Sequence, residues 1–218
     1  MNEQMIRPRT LALVTALVVT LAQVVSAGPP RGKQWEYGGA LFWEVEHDEA
    51  GGGEEVGEAM EESGVWVRRH ASSIDARAIA TELTPGHVYT ATIVAFNNPA
   101  ACAFPVHPGL RCGPIDFFTN PAVQPSFMWG DGKIATRERV EFRVHRKVKV
   151  KSRIFFGSPD GLTNPFDAEV TIDLFDMGLP IPGHVQDQRT SISYGCGPGE
   201  PNGPASETPC KDLAGNGM

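Results

Sequence analysis

Short runs of alternating apolar and polar residues, separated by glycine and proline, organise the chain from residue 35 to residue 194. A period of two sends successive side chains to opposite faces, so each run predicts a half-buried β-strand. Residues 40–46 and 64–70 are such runs. Residues 73–83 set Ile74, Ala76, Ala78 and Ala80 against Asp75, Arg77, Ile79 and Thr81, a pattern open to strand or helix and read as strand because of the strand that follows. Residues 87–96 follow a Thr84-Pro85-Gly86 turn, and residues 168–174 alternate with Ala168, Val170, Ile172 and Leu174 on the apolar side. On that pattern Glu169 and Asp173 face water. Gly130-Asp131-Gly132 sits between two apolar stretches and predicts a hairpin, because Asp-Gly suits a tight turn. Residues 178–183 form a Pro-rich loop, and residues 188–194 predict a last strand.

The longest alternation runs over residues 137–154 without a glycine or proline. Val140, Phe142, Val144, Val148 and Val150 take one side. Arg137, Arg139, Glu141, Arg143, His145, Lys147, Lys149, Lys151 and Arg153 take the other, and Arg146 alone interrupts the apolar side. The run is longer than a usual strand. It predicts two collinear strands with a bend near Arg146.

Leu83, Pro85, Tyr89, Ile93, Ala95 and Asn97 resemble the turn and strand that precede the last strand of a fibronectin type III domain. The resemblance implies an all-β fold, an antiparallel β-sandwich of immunoglobulin or fibronectin III kind, with long Gly/Pro-rich loops. In that fold a corner tyrosine bonds back to backbone, here Tyr89, and a strand tryptophan packs in the core, here Trp43. The whole chain also resembles a loose group of uncharacterised exported bacterial proteins. The pieces are residues 65–69, Tyr89-Thr90, residues 96–99 before Cys102, residues 161–165, residues 168–170, and Cys196 with Cys210. That likeness implies export and single-domain length, and no activity.

The N-terminus changes the picture of where the chain works. Arg7 and Arg9 precede an apolar run over residues 11–25, and Val25-Ser26-Ala27 places small residues at a cleavage position. This is the pattern of a secretory leader cut after Ala27. The run is too short and too broken by Thr15, Thr20 and Gln23 to predict a permanent span. The expected organisation is a signal peptide at 1–27, a flexible lead-in at 28–34, a β-sandwich domain at 35–194 and a coil at 195–218. The mature chain is then secreted or periplasmic, with no membrane span.

An oxidising compartment lets the four cysteines pair. Four allow three pairings. Cys102 with Cys112, and Cys196 with Cys210, close short loops and are the expected bridges; no C-x-x-C spacing suggests zinc. Gly and Pro number 24 and 18 of 218 residues, which fits many turns and argues against a helical bundle.

Charge is unevenly spread. Residues 44–62 carry nine acids and no Lys or Arg, and predict a solvated loop with a helical turn at 58–62. Residues 137–153 hold eight Lys or Arg and two Glu. The whole chain is at −7, and a leader with two arginines and one glutamate removed leaves −8. So acidic a chain is no general nucleic-acid binder.

Two functional expectations follow. The first is a non-catalytic exported or envelope-associated binding module. Its cationic strand face, Arg139, Arg143, Lys147, Lys149, Lys151 and Arg153, would meet an acidic glycan, an anionic lipid or an acidic protein surface, or the chain's own acidic loop. The alternative is an exported hydrolase or metal-dependent enzyme with a site assembled from distant loops. The sequence shows no G-x-S-x-G, H-E-x-x-H, phosphate loop or dinucleotide fingerprint. No cofactor is implied beyond a possible structural calcium at Asp160, Asn164, Asp167, Glu169, Asp173 and Asp176.

Overall fold

The computed structural model describes residues 18–19, 34–45, 55–104, 110–190 and 192. Among these the chain is mostly β. Its strands are β1 (Val18–Val19), β2 (Glu36–Gly39), β3 (Phe42–Val45), β4 (Glu55–Ala59), β5 (Gly64–His70), β6 (Ser73–Ala80), β7 (Val88–Phe96), β8 (Pro125–Ile134), β9 (Val140–Lys147), β10 (Ile154–Gly157) and β11 (Glu169–Asp176). Two short helices, α1 (Pro114–Thr119) and α2 (Val185–Gln188), lie outside the sheets. One sheet runs β1-β11-β7-β8-β10, a second runs β2-β5-β6-β9, and β3 pairs with β4 alone. β1 lies inside the expected leader and covers the outer side of β11, so a chain shortened after Ala27 presents β11 as that sheet's edge.

Both large sheets face one apolar core. The four-stranded sheet contributes Val65, Val67, Ile74, Ala76, Ala78 and Phe142; the other contributes Ala91, Ile93, Ala95, Met128, Val170 and Ile172. These are the apolar sides of the alternating runs. Phe142 is fully buried, a position where truncation to alanine costs about 3–5 kcal/mol.

The five-stranded sheet is buried on its other face as well. β7 is buried along its whole length. Val88, Val94, Phe96, Phe127 and Phe175 pack there against Cys112, Val123, Met177 and Ile181. The covering layer is the segment around α1 and the segment after β11. Glu169 and Asp173 are therefore buried, not solvent-facing as their alternation suggested. Alternation reports which side is apolar; it does not report whether a polar side is covered.

Cys102 and Cys112 are bridged, as expected. Two buried carboxylates hold the loop they close. Glu169 accepts the Arg111 amide at 2.9 Å and the Cys112 amide at 2.9 Å. Asp116 accepts the Ala103 and Phe104 amides, each at 2.9 Å. Burial pushes the Glu169 carboxyl above its ordinary range despite those amides. Burial also acts upward on Asp116, but its amide donors and Asn120 outweigh it and hold the group below its ordinary range. Cys196 and Cys210 lie outside the described residues, as does the side chain of Trp43.

Four further expectations are corrected. Gly130-Asp131-Gly132 is no hairpin: β8 runs through it, paired to β7 with a register shift between Ala91 and Thr92. The glycines allow close approach, since a Cβ on Gly130 would stand 2.5 Å from the Val144 side chain and one on Gly132 would stand 1.9 Å from the Arg189 carbonyl oxygen. Within 188–194, Gln188 ends a helical turn in place of a strand, and its amide donates to Met177 and Leu179 carbonyls while its oxygen accepts the Ile181 amide. In the acidic run 44–62, residues 44–45 end β3, β4 follows at Glu55–Ala59, and a turn stands where a helical end was expected; residues 46–54 lie outside the described residues.

The fourth correction bears on function. The long alternating run is not two collinear strands: β9 ends at Lys147, the chain turns, and β10 joins the other sheet. Lys149 and Arg153 have left-handed φ values of 57° and 63° within that turn. The Val148 amide bonds to Ser72 and the Lys149 amide to Leu162, tying the turn to both layers. No glycine marks the two left-handed positions, so the pattern reads straight through them.

Candidate functional site

The outward face of the four-stranded sheet gathers charged and aromatic side chains from four strands. Register sets Tyr37 beside Trp66, Trp66 beside Arg77, and Arg77 beside Arg143. A second row runs from Arg68 to Asp75 to His145, and a third from His70 to Ser73 to Lys147. Their inward neighbours, Val65, Val67, Ile74, Ala76, Phe142 and Val144, are buried, which fixes the face the others must take.

Carboxylates at the centre organise the cations. Asp75 accepts Arg68 at 2.6 Å, His70 at 3.0 Å and His145 at 2.5 Å. Burial pushes its carboxyl up, but hydrogen bonds from His145, Arg68 and His70 outweigh that and hold it at about 2. Glu141 accepts Arg77 at 2.7 Å and Arg143 at 2.6 Å. Its own burial acts upward, and the two arginines outweigh it, leaving the carboxyl below its ordinary range. Two guanidinium groups thus share one carboxylate, and Arg143 keeps 78% of its side chain in solvent.

Aromatic rings occupy the other end of the same face. Tyr37 is 59% exposed and Trp35 is 44% exposed. The Tyr37 and Trp66 rings lie 5.5 Å apart, the Arg68 guanidinium stands 4.8 Å over Trp35, and the Arg77 guanidinium stands 5.5 Å over Trp66.

Of the six cationic residues expected to share a strand face, Arg143 and Lys147 lie on this one. Arg139 precedes β9 and donates to the Glu62 carbonyl at 3.1 Å, a link between the basic and acidic stretches. Lys149, Lys151 and Arg153 belong to the turn after β9. Lys151 pairs with Asp160 at 3.3 Å, and Arg153 stacks on Trp129 at 4.0 Å. Arg146 is buried and donates to the Ser152 carbonyl; burial first, and Arg153 second, lower its pKa.

Arg68, Arg77 and the three rings were not singled out from sequence. The signal was present in the opposite parity of Trp66 and Arg68 to Val65 and Val67, but nothing in one strand says which strands lie beside it.

The oxygen-rich stretch considered for calcium has protein partners. Asn164 bonds to Asp167, Asp160 pairs with Lys151, and Asp176 holds His87 and Tyr89. Among the described residues no group of three His, Cys, Asp or Glu could hold a metal ion, and no helix is long and apolar enough to cross a membrane.

Comparison with family models, curated proteins and solved structures finds no match to the chain.

Proposed function

We propose that this chain is an exported, non-catalytic binding module that takes an anionic partner on the outward face of its four-stranded sheet. The observation that carries the reading is the shared carboxylate: Arg77 and Arg143 sit side by side on one Glu141, with Arg143 largely in solvent. Two adjacent guanidinium groups share the Glu141 carboxylate, and the neighbouring Asp131, which accepts the Arg143 amide, is itself paired with Lys133, so cations outnumber acids at this spot on an otherwise acidic chain. A planar guanidinium offers paired donors to a carboxylate or phosphate. Lys147 extends the patch along β9.

The fold proposed is a β-sandwich of immunoglobulin or fibronectin III kind, supported by the two-sided core and by the Tyr89 bond to the Thr84 amide at 2.9 Å. Export after cleavage at Ala27 is supported by the leader pattern and by the Cys102–Cys112 bridge.

The test is affinity for a carboxylated polymer such as polygalacturonate as salt is varied. Wild type should bind with affinity falling steeply as salt rises, and Arg143→Gln with Lys147→Gln should lose binding. A double variant that binds like wild type would contradict the reading.

A further inference from the structure

We infer that the partner is a carboxylated polysaccharide whose sugar rings stack on Trp35 and Tyr37 while its carboxylates reach Arg143. This deepens the proposed function and rests on it.

The first argument is the disposition of the rings. Tyr37 lies on the outer edge strand β2, in register with Trp66 on the face of Arg77 and Arg143, and Trp35 immediately precedes that strand with the Arg68 guanidinium over its ring. From Tyr37 to Arg143 is three strand spacings, about 14 Å. The ligand must therefore be extended and carry apolar faces and anionic groups within that length. The Trp66 and Tyr37 rings close over Gly64: a Cβ there would stand 2.9 Å from Trp66 Cη2 and 3.0 Å from Tyr37 Cε2. Tyr37, tilted 54° against Trp66, and Trp35, under the Arg68 guanidinium, leave exposed aromatic surface on this face, which suits the C–H face of a sugar.

The second argument is the pair of carboxylates between the rings and Arg143. Asp75 and Glu141 accept hydrogen bonds and repel dense negative charge. A hydroxyl-rich ligand with spaced carboxylates gains from both. A polyphosphate would meet the same repulsion as a polyuronate but has no ring face to lay on Trp35 and Tyr37. A bilayer would have to strip water from them.

Binding of polygalacturonate, its methyl ester, phosphatidylglycerol vesicles and poly(dT) should be measured on wild type, Trp35→Ser with Tyr37→Ser, Tyr37→Phe, and Arg143→Gln. Wild type should prefer polygalacturonate, and the ester should bind more weakly. The double serine variant should bind about tenfold or more weakly with an unchanged salt slope, while Tyr37→Phe stays near wild type. Both replaced residues are exposed, and an unchanged circular dichroism spectrum shows that the fold is intact. If the serine variant binds as wild type but Arg143→Gln does not, stacking is wrong and the charged face stands. Preference for vesicles or poly(dT) overturns the glycan. No binding by any anionic probe at low salt removes the face reading itself.

Discussion

The Tyr89 hydroxyl accepts the Thr84 amide at 2.9 Å and donates to Asp176 at 3.0 Å, joining the turn before β7 to the end of β11. The ring is buried in the shared core. Tyr89→Phe keeps the ring and removes both bonds, one of them to a charged group. It should lower stability by about 1–3 kcal/mol, read as a lower denaturant midpoint at constant slope. An unchanged midpoint would show that the corner bond is not structural. Burial, with Asp176 beside it, pushes the Tyr89 phenol up to about 12. Because its folded pKa is raised, the stability this group contributes is present below pH 10 and is lost as pH rises through about 12.

Asp75 contributes to the acid limb, as do Asp116 and Glu141, whose carboxyls are also held below their ordinary range. Its carboxyl is held at about 2 against an ordinary 3.8, so the folded state favours the charged form. The stability it contributes is complete above pH 4 and disappears as pH falls through about 2. The shift corresponds to about 2 kcal/mol. Asp75→Asn should flatten the stability curve between pH 4 and pH 2. An equally steep acid limb in that variant would place the titration elsewhere.

Glu169 acts with the opposite sign. Burial raises its folded pKa, so stability should fall as pH rises through and above the ordinary glutamate range. Glu169→Gln keeps an acceptor for the Arg111 and Cys112 amides and should remove that slope, whereas Glu169→Ala orphans both amides. Hydrogen exchange at Arg111 and Cys112 should rise in the alanine variant and stay slow in the glutamine variant. Equal exchange in both would show that the carboxylate does not hold the loop.

The Cys102–Cys112 bridge closes a loop with a sequence separation of 10. Replacing both cysteines by serine should cost about 3 kcal/mol, mainly by freeing the unfolded chain. A change in melting temperature of under a degree would contradict that account.

Local periodicity made β5, β6, β7, β9 and β11 legible, because each turns the apolar side of an alternating run to the shared core, although β7 and β11 are covered on their other side too. It made Tyr89 legible as well, since the turn and the strand are contiguous. Two kinds of information were not local. Left-handed Lys149 and Arg153 end the β9 run with residues that ordinarily do not mark a turn, so half of the expected cationic face moved to a loop. The partners of Arg143, which are Arg77 and Glu141, depend on strand order, and Glu169 is buried by a layer contributed from residues far along the chain. The proposed binding face was therefore visible only in part: Arg143 and Lys147 from one strand's parity, and Trp35, Tyr37, Trp66, Arg68 and Arg77 only once four strands stood in register.

The most direct test of the proposed binding face is amide chemical-shift mapping of the isotope-labelled protein titrated with polygalacturonate fragments at low salt. The shifts should concentrate on β2, β5, β6 and β9, with Tyr37, Arg77 and Arg143 among the largest, and vanish as salt is raised. Shifts confined to the α1 side of the five-stranded sheet, or none at all at saturating ligand, would contradict the assignment of this face.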